Sequence, residues 1–61
     1  MKYWTLCDNE RGEGPGYNFA TRYEAITTAK NLYKIGVFSS VSVEVDTPLG
    51  FLTIWQNGTE V

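Results

Sequence analysis

Only one stretch of this chain, Thr21 to Ile35, repeats its apolar residues at helical spacing. At about 100° per residue, Ala25, Ile26, Ala29, Leu32 and Tyr33 share one face, with Glu24, Thr27, Asn31 and Lys34 opposite. Thr21 followed by Glu24 is a capping box: the hydroxyl accepts from the Glu24 amide, and the carboxylate is predicted to reach back to the Thr21 amide. Lys30 and Lys34 suit the negative end of the helix dipole. Gly36 can take the left-handed conformation that closes a helix. A helix this short is marginal alone, so it must pack on something. Ala25 and Ala29 are small enough for a sheet to approach closely.

The rest of the chain reads as strand and turn. Lys2 to Asp8 alternates, with Trp4 and Leu6 predicted toward the helix and Tyr3, Thr5 and Cys7 away from it. D-N-E-R-G-E-G-P-G, Asp8 to Gly16, is a loop with no apolar anchor. Tyr17 and Phe19 form either a short second strand or an extended lead into the helix. Ser39 to Asp46 alternates Val41, Val43 and Val45 against Ser40, Ser42, Glu44 and Asp46. Thr47-Pro48-Leu49-Gly50 is a turn, and Phe51 to Gln56 is the partner strand. Asn57-Gly58 signals a further hairpin, with room for only a short return strand. The expected fold is α+β: one helix, about 21–35, on one face of a three- to four-stranded antiparallel sheet, in the order β(β)αββ. The expected core is Trp4, Leu6, Phe19, Ala25, Ile26, Ala29, Leu32, Phe38, Val41, Val43, Val45, Leu52 and Ile54. Residues 1–61 read as a single domain.

Sixty-one residues bury only about 60% of the unfolded surface, so some further aid to stability is needed. A disulfide cannot supply it, because Cys7 is the one cysteine, and a zinc site has no histidine to use. Two Trp, four Tyr and three Phe leave aromatic packing and self-association as the aids. The net charge of −2 gives no general footprint for a phosphate backbone. No secretory signal or membrane span is visible, and a reduced, cytoplasmic setting is expected. Asn57-Gly58-Thr59 matches a glycosylation acceptor but, without an export signal, reads as a turn.

Chemistry-bearing motifs are few. Gly12, Gly14 and Gly16 lack a following Gly-Lys-Ser/Thr, and Glu10 and Glu13 would repel phosphate. Asp8, Asn9, Glu10 and Glu13 do not have the spacing of a calcium loop. Cys7 has no base, and Asp8 beside it raises the thiol pKa. No catalytic, cofactor-binding or metal-binding residue is assigned, and the chain is read as a non-enzyme.

Two surfaces stand out. If one helix covers one side of the sheet, the other side carries Tyr3, Thr5, Cys7, Ser40, Ser42, Glu44, Phe51, Thr53 and Trp55. Of these, Tyr3, Phe51, Thr53 and Trp55 are the candidate partner-binding residues, since exposed aromatics mark interfaces. A one-residue slip would instead put Phe51 and Trp55 inside and dissolve the patch. A secondary stripe runs along the helix through Tyr23, Lys30 and Lys34, with Thr27 between; a solvated flank is its ordinary explanation. Arg11 and Arg22 would extend it if the loop folds toward the helix start.

An aromatic opening strand, a Gly-rich turn, the segment T-x-x-E-A-x-x-x-A-K-x-L (Thr21, Glu24, Ala25, Ala29, Lys30, Leu32), an S-V-S-V-E-V strand and a closing G-F-L-T-I-W-Q-N-G hairpin make a familiar pattern. In architecture the chain resembles short β–helix–β–β accessory proteins of phages and mobile elements, including small inhibitors of host defence. The resemblance carries over no functional residue. It implies a class that acts by binding, often by covering a site on a larger complex. Three readings follow: a protein-binding module, a homodimer using the open sheet face, and a single-stranded nucleic-acid binder stacking bases on Tyr3, Phe51 and Trp55, which the charge disfavours.

Overall fold

The computed structural model describes residues 2–12 and 14–61. In chain order the elements are β1 (Tyr3–Asp8), β2 (Gly16–Phe19), α1 (Arg22–Ile35), β3 (Ser40–Thr47), β4 (Gly50–Gln56) and β5 (Thr59–Glu60). The strands form one antiparallel sheet of five, ordered β2-β1-β3-β4-β5, where three to four were expected. Both optional strands are present. Tyr17 to Phe19 pairs with β1, and the three residues after Asn57-Gly58 suffice for the return strand β5. β1 takes its other partner from β3.

α1 begins and ends where its sequence signals lie. Thr21 caps it, accepting from the Glu24 N–H at 3.2 Å. The other half of the capping box differs from expectation, because the Thr21 hydroxyl donates to Glu24 Oε1 at 2.8 Å. The carboxylate thus holds the cap hydroxyl in place. Gly36 closes the helix at φ 81°, where a Cβ would be strained, and its N–H donates to the Tyr33 carbonyl. The helix packs across β1, β3 and β2.

Beneath α1 the first strand is inverted relative to expectation. Thr5 and Cys7 are buried under the helix, and Tyr3 packs at the core margin; Trp4 and Leu6 lie on the opposite face. The physical reason is distance. Ala25 and Ala29 are fully buried, so backbone approaches backbone, and only small side chains fit between. Thr5 also gains a bond there: its Oγ1 donates to the Ala25 carbonyl at 2.7 Å. The buried core is Cys7, Ala25, Ile26, Ala29, Val41, Val43, Val45 and Trp55, with Phe19, Leu32, Phe38 and Ile54 packed against its edge. Trp4, Leu6 and Leu52 leave the expected core, and Cys7 and Trp55 enter it.

Neither uniform register of β4 is realised. Val43 pairs with Trp55 but Glu44 pairs with Thr53, so Ile54 is an extra residue, a β-bulge. The bulge changes the phase of the strand. Upstream, Leu52 lies on the helix side opposite Val45, and Phe51 and Thr53 lie on the open side. Downstream, Trp55 lies on the helix side, 1% exposed, with its ring edge-on to Tyr33 at 6.3 Å between centroids and 86° between planes.

The turns follow their residues. Asn57 and Gly58, at φ 47° and 95°, make the left-handed pair of a type I′ hairpin. Asn57 Oδ1 accepts from the Val41 N–H at 2.8 Å, which ties its side chain to β3. At the other end of β4, the Leu49 N–H donates to Thr47 Oγ1 at 3.2 Å. The β1–β2 loop is better anchored than its composition suggests. The Cys7 N–H donates to the Pro15 carbonyl at 3.0 Å, and Asn9 Oδ1 accepts from the Arg11 N–H at 2.9 Å. Glu13, counted among the loop's acidic residues, lies outside the described residues.

Candidate functional site

The inversion of β1 and the bulge in β4 redraw the open face of the sheet. Register and alternation place four cross-strand rows on it. One runs Asn18–Trp4–Glu44–Thr53, the next Gly16–Leu6–Ser42–Gln56 and then Asp8–Ser40, and Asp46–Phe51 lies on the other side of the Trp4 row. No element of the described residues crosses this face, since α1 lies on the other. Its apolar members are Trp4, Leu6 and Phe51, and its polar members are Asn18, Ser40, Ser42, Thr53 and Gln56 with the carboxylates of Asp8, Glu44 and Asp46. Lys2, whose carbonyl accepts from the Asp46 N–H at 3.0 Å, stands at one corner.

The four candidate partner-binding residues are therefore split. Phe51 is on the open face and 62% exposed; Thr53 is on the same face and half-buried. Tyr3 and Trp55 belong to the helix side, so the predicted patch of Tyr3, Phe51, Thr53 and Trp55 does not exist as one surface. Sequence reasoning missed Trp4 and Leu6 as open-face residues. The available signal was volume: a helix that presents two alanines to a sheet selects Thr5 and Cys7 beneath it and turns the bulky Trp4 outward.

Trp4 is unusual among these residues. Its ring lies half-buried on the uncovered face, while Nε1 is fully covered and makes no hydrogen bond. The indole thus presents ring surface rather than a polar handle.

The helix stripe keeps its exposure. Tyr23, Lys30 and Lys34 all face solvent, and Arg22, Tyr23, Ile26, Thr27, Lys30 and Glu60 line a shallow groove between α1 and β5. Arg22 Nη2 pairs with Glu60 Oε1 at 3.1 Å, which neutralises one basic group of the stripe. Arg11 does not join it. Arg11 lies instead with Gly36, Val37, Phe38 and Ser39 around an open hollow at the far end of the helix.

The Gly-rich loop has a structural use. A Cβ on Gly14 would run into the backbone carbonyl of Cys7, so this glycine lets the loop lie against β1. Cys7 itself is buried, and burial first and the neighbouring Asp8 carboxylate second push its thiol pKa up. That is the reverse of what activates a nucleophile. Among the described residues, no three His, Cys, Asp or Glu side chains converge as a metal site, and no helix is long and apolar enough to cross a membrane. Comparisons with protein-family models, with curated proteins and with solved structures find no match.

Proposed function

We propose that the chain is a non-enzymatic protein-binding module whose contact surface is the open face of the sheet. The observation that carries the reading is a set of aromatic and aliphatic side chains, Trp4, Leu6 and Phe51, on a face that no other element of the described residues covers. An uncovered sheet face is ordinarily polar; a tryptophan with a leucine beside it and a phenylalanine at its margin is the composition of an interface centre. On β3, the central strand, Glu44 lies between Trp4 and Thr53 and Asp46 lies beside Phe51, so the fitting partner brings basic groups among its apolar side chains. Chemistry has no comparable support: the chain has no histidine, and its one thiol is buried with a raised pKa. The resemblance to phage and mobile-element accessory proteins supports the same class of action, covering a site on a larger complex.

The test is a substitution that fills the middle of the face without touching the core. Ser42 sits opposite Leu6 on β3, and Ser42→Arg places a long charged chain there. Thr27→Arg, on the exposed helix flank, is the matched control. A partner captured from cell extract should be retained by the wild type and by Thr27→Arg and lost by Ser42→Arg, with far-UV circular dichroism unchanged. Equal retention by all three proteins overturns the reading.

A further inference from the structure

We propose that β4 is also an interface, joining a second copy of this chain edge to edge into a continuous sheet. The inference is independent of the open-face reading, because it concerns the rim of the sheet. β5 pairs only with Trp55 and Gln56, and the Val61 N–H donates to the Ile54 carbonyl at 3.1 Å. From Gly50 to Thr53 the outer edge of β4 has no neighbouring strand among the described residues.

The direction of the free backbone groups follows from the far side of β3. The Asp46 N–H is spent on the Lys2 carbonyl, so Asp46 turns its backbone toward β1. In an antiparallel ladder its opposite number, Phe51, then turns its N–H and C=O away from β3 and out of the sheet. Alternation gives Thr53 the same outward direction, while Leu52 is bonded inward to Val45. Two outward residues flanking an inward one are what a twofold pairing needs. With the axis at Leu52, Phe51 of one copy meets Thr53 of the other on each side, and the two Leu52 residues face each other as a non-hydrogen-bonded pair.

The side chains favour a second copy over an unrelated strand. The segment G-F-L-T-I carries no charge, so it meets itself without repulsion. It also lacks the lysine or inward charge by which exposed edges usually resist pairing. Four of the nine exposed large apolar residues among the described residues line this rim: Leu49 is 100% exposed, Val61 78%, Phe51 62% and Leu52 58%. In the twofold arrangement Leu52 covers Leu52, and the Leu49 turn of one copy comes up against Val61 of the other, because β5 halts the new pairing at Ile54.

Disulfide capture tests the register directly. Opposed residues of a non-hydrogen-bonded pair have Cα atoms about 4.5 Å apart, within the span of a disulfide. In a Cys7→Ala background, Leu52→Cys should oxidise to a covalent dimer at least about tenfold faster than Thr27→Cys, an exposed site away from the edge; tenfold corresponds to about 1.4 kcal/mol. Adding Thr53→Pro to Leu52→Cys should bring the rate down to that of the control, since proline removes an outward donor that β4 does not use within its own sheet. Circular dichroism confirms that each variant is folded. Equal rates for Leu52→Cys and Thr27→Cys, or a Leu52→Cys rate that Thr53→Pro leaves unchanged in a folded protein, overturn the proposal.

Discussion

Cys7 shows how one small side chain can serve packing and leave a signature in solution. It lies under α1 with its thiol pKa raised by burial and by Asp8. A thiol that ionises later in the folded state than in the unfolded chain contributes stability below the unfolded pKa, ordinarily about 8.5. That contribution is lost as pH rises above it, because the unfolded chain releases its proton first. Urea denaturation at neutral and alkaline pH should therefore show the wild type losing more stability than Cys7→Ala, and iodoacetamide should label Cys7 only after unfolding. Equal losses would mean that the thiol is not held neutral. The same packing explains what the sequence concealed at this scale. By hydrophobicity, Trp4 and Leu6 outrank Thr5 and Cys7 for the core. The close approach made by Ala25 and Ala29 reverses that ranking, and the Thr5 bond to the Ala25 carbonyl removes the penalty of burying its hydroxyl. Small residues on the helix were legible, but their consequence for the strand beneath was a matter of volume, which alternation does not record.

The bulge at Ile54 decides which ring is inside. A strand read as strictly alternating gives Phe51 and Trp55 the same face, and both uniform registers share that assumption. One inserted residue breaks it, leaving Phe51 on the open side and Trp55 against Tyr33. Bulges have no strong signature in side-chain pattern, whereas helix caps and hairpin turns do, which is why Thr21, Gly36 and Asn57-Gly58 were readable and Ile54 was not. The bulge makes an unusual deletion prediction. Removing Ile54 would join Thr53 to Trp55 in regular pairing with Glu44 and Val43, so Trp55 should stay buried. In a regular strand the same deletion would carry the residues on one side of it to the other face. In a Trp4→Phe background, where Trp55 is the remaining tryptophan, the deletion variant should keep the blue-shifted emission of a buried indole. It should also be less stable than its parent by about 1 kcal/mol or more, from the lost packing of half-buried Ile54. Emission shifted to that of a solvated indole would show that Ile54 is not the inserted residue.

For the molecule as a whole, the division of the aromatics between two faces bears on nucleic acid. Stacking along a sheet needs several rings on one accessible face with basic groups to guide the backbone. The ring set that would have served, Tyr3, Phe51 and Trp55, is divided, with Trp55 beneath the helix and Tyr3 packed against the core. The face that is open offers Trp4 and Phe51, and their immediate cross-strand neighbours on β3 are Glu44 and Asp46. With a net charge of −2 overall, a phosphate backbone approaching this face meets carboxylates beside each ring, and low salt strengthens the repulsion. Of the basic groups not paired with Glu60, Lys2 stands at one corner of this face, Arg11 lies by the hollow at the far end of the helix, and Lys30 and Lys34 stand on the helix at the other side of the sheet beside the exposed Tyr23. Trp4 is thus a reporter placed on the surface where bases would have to stack. Titration with single-stranded oligonucleotides at low ionic strength should leave its fluorescence unquenched in the wild type. Replacing Glu44 and Asp46 together with lysine should be required before any quenching develops. Saturable quenching of the wild type, abolished by Trp4→Phe, would reverse the assignment of this face and make its carboxylates a selectivity filter rather than a barrier.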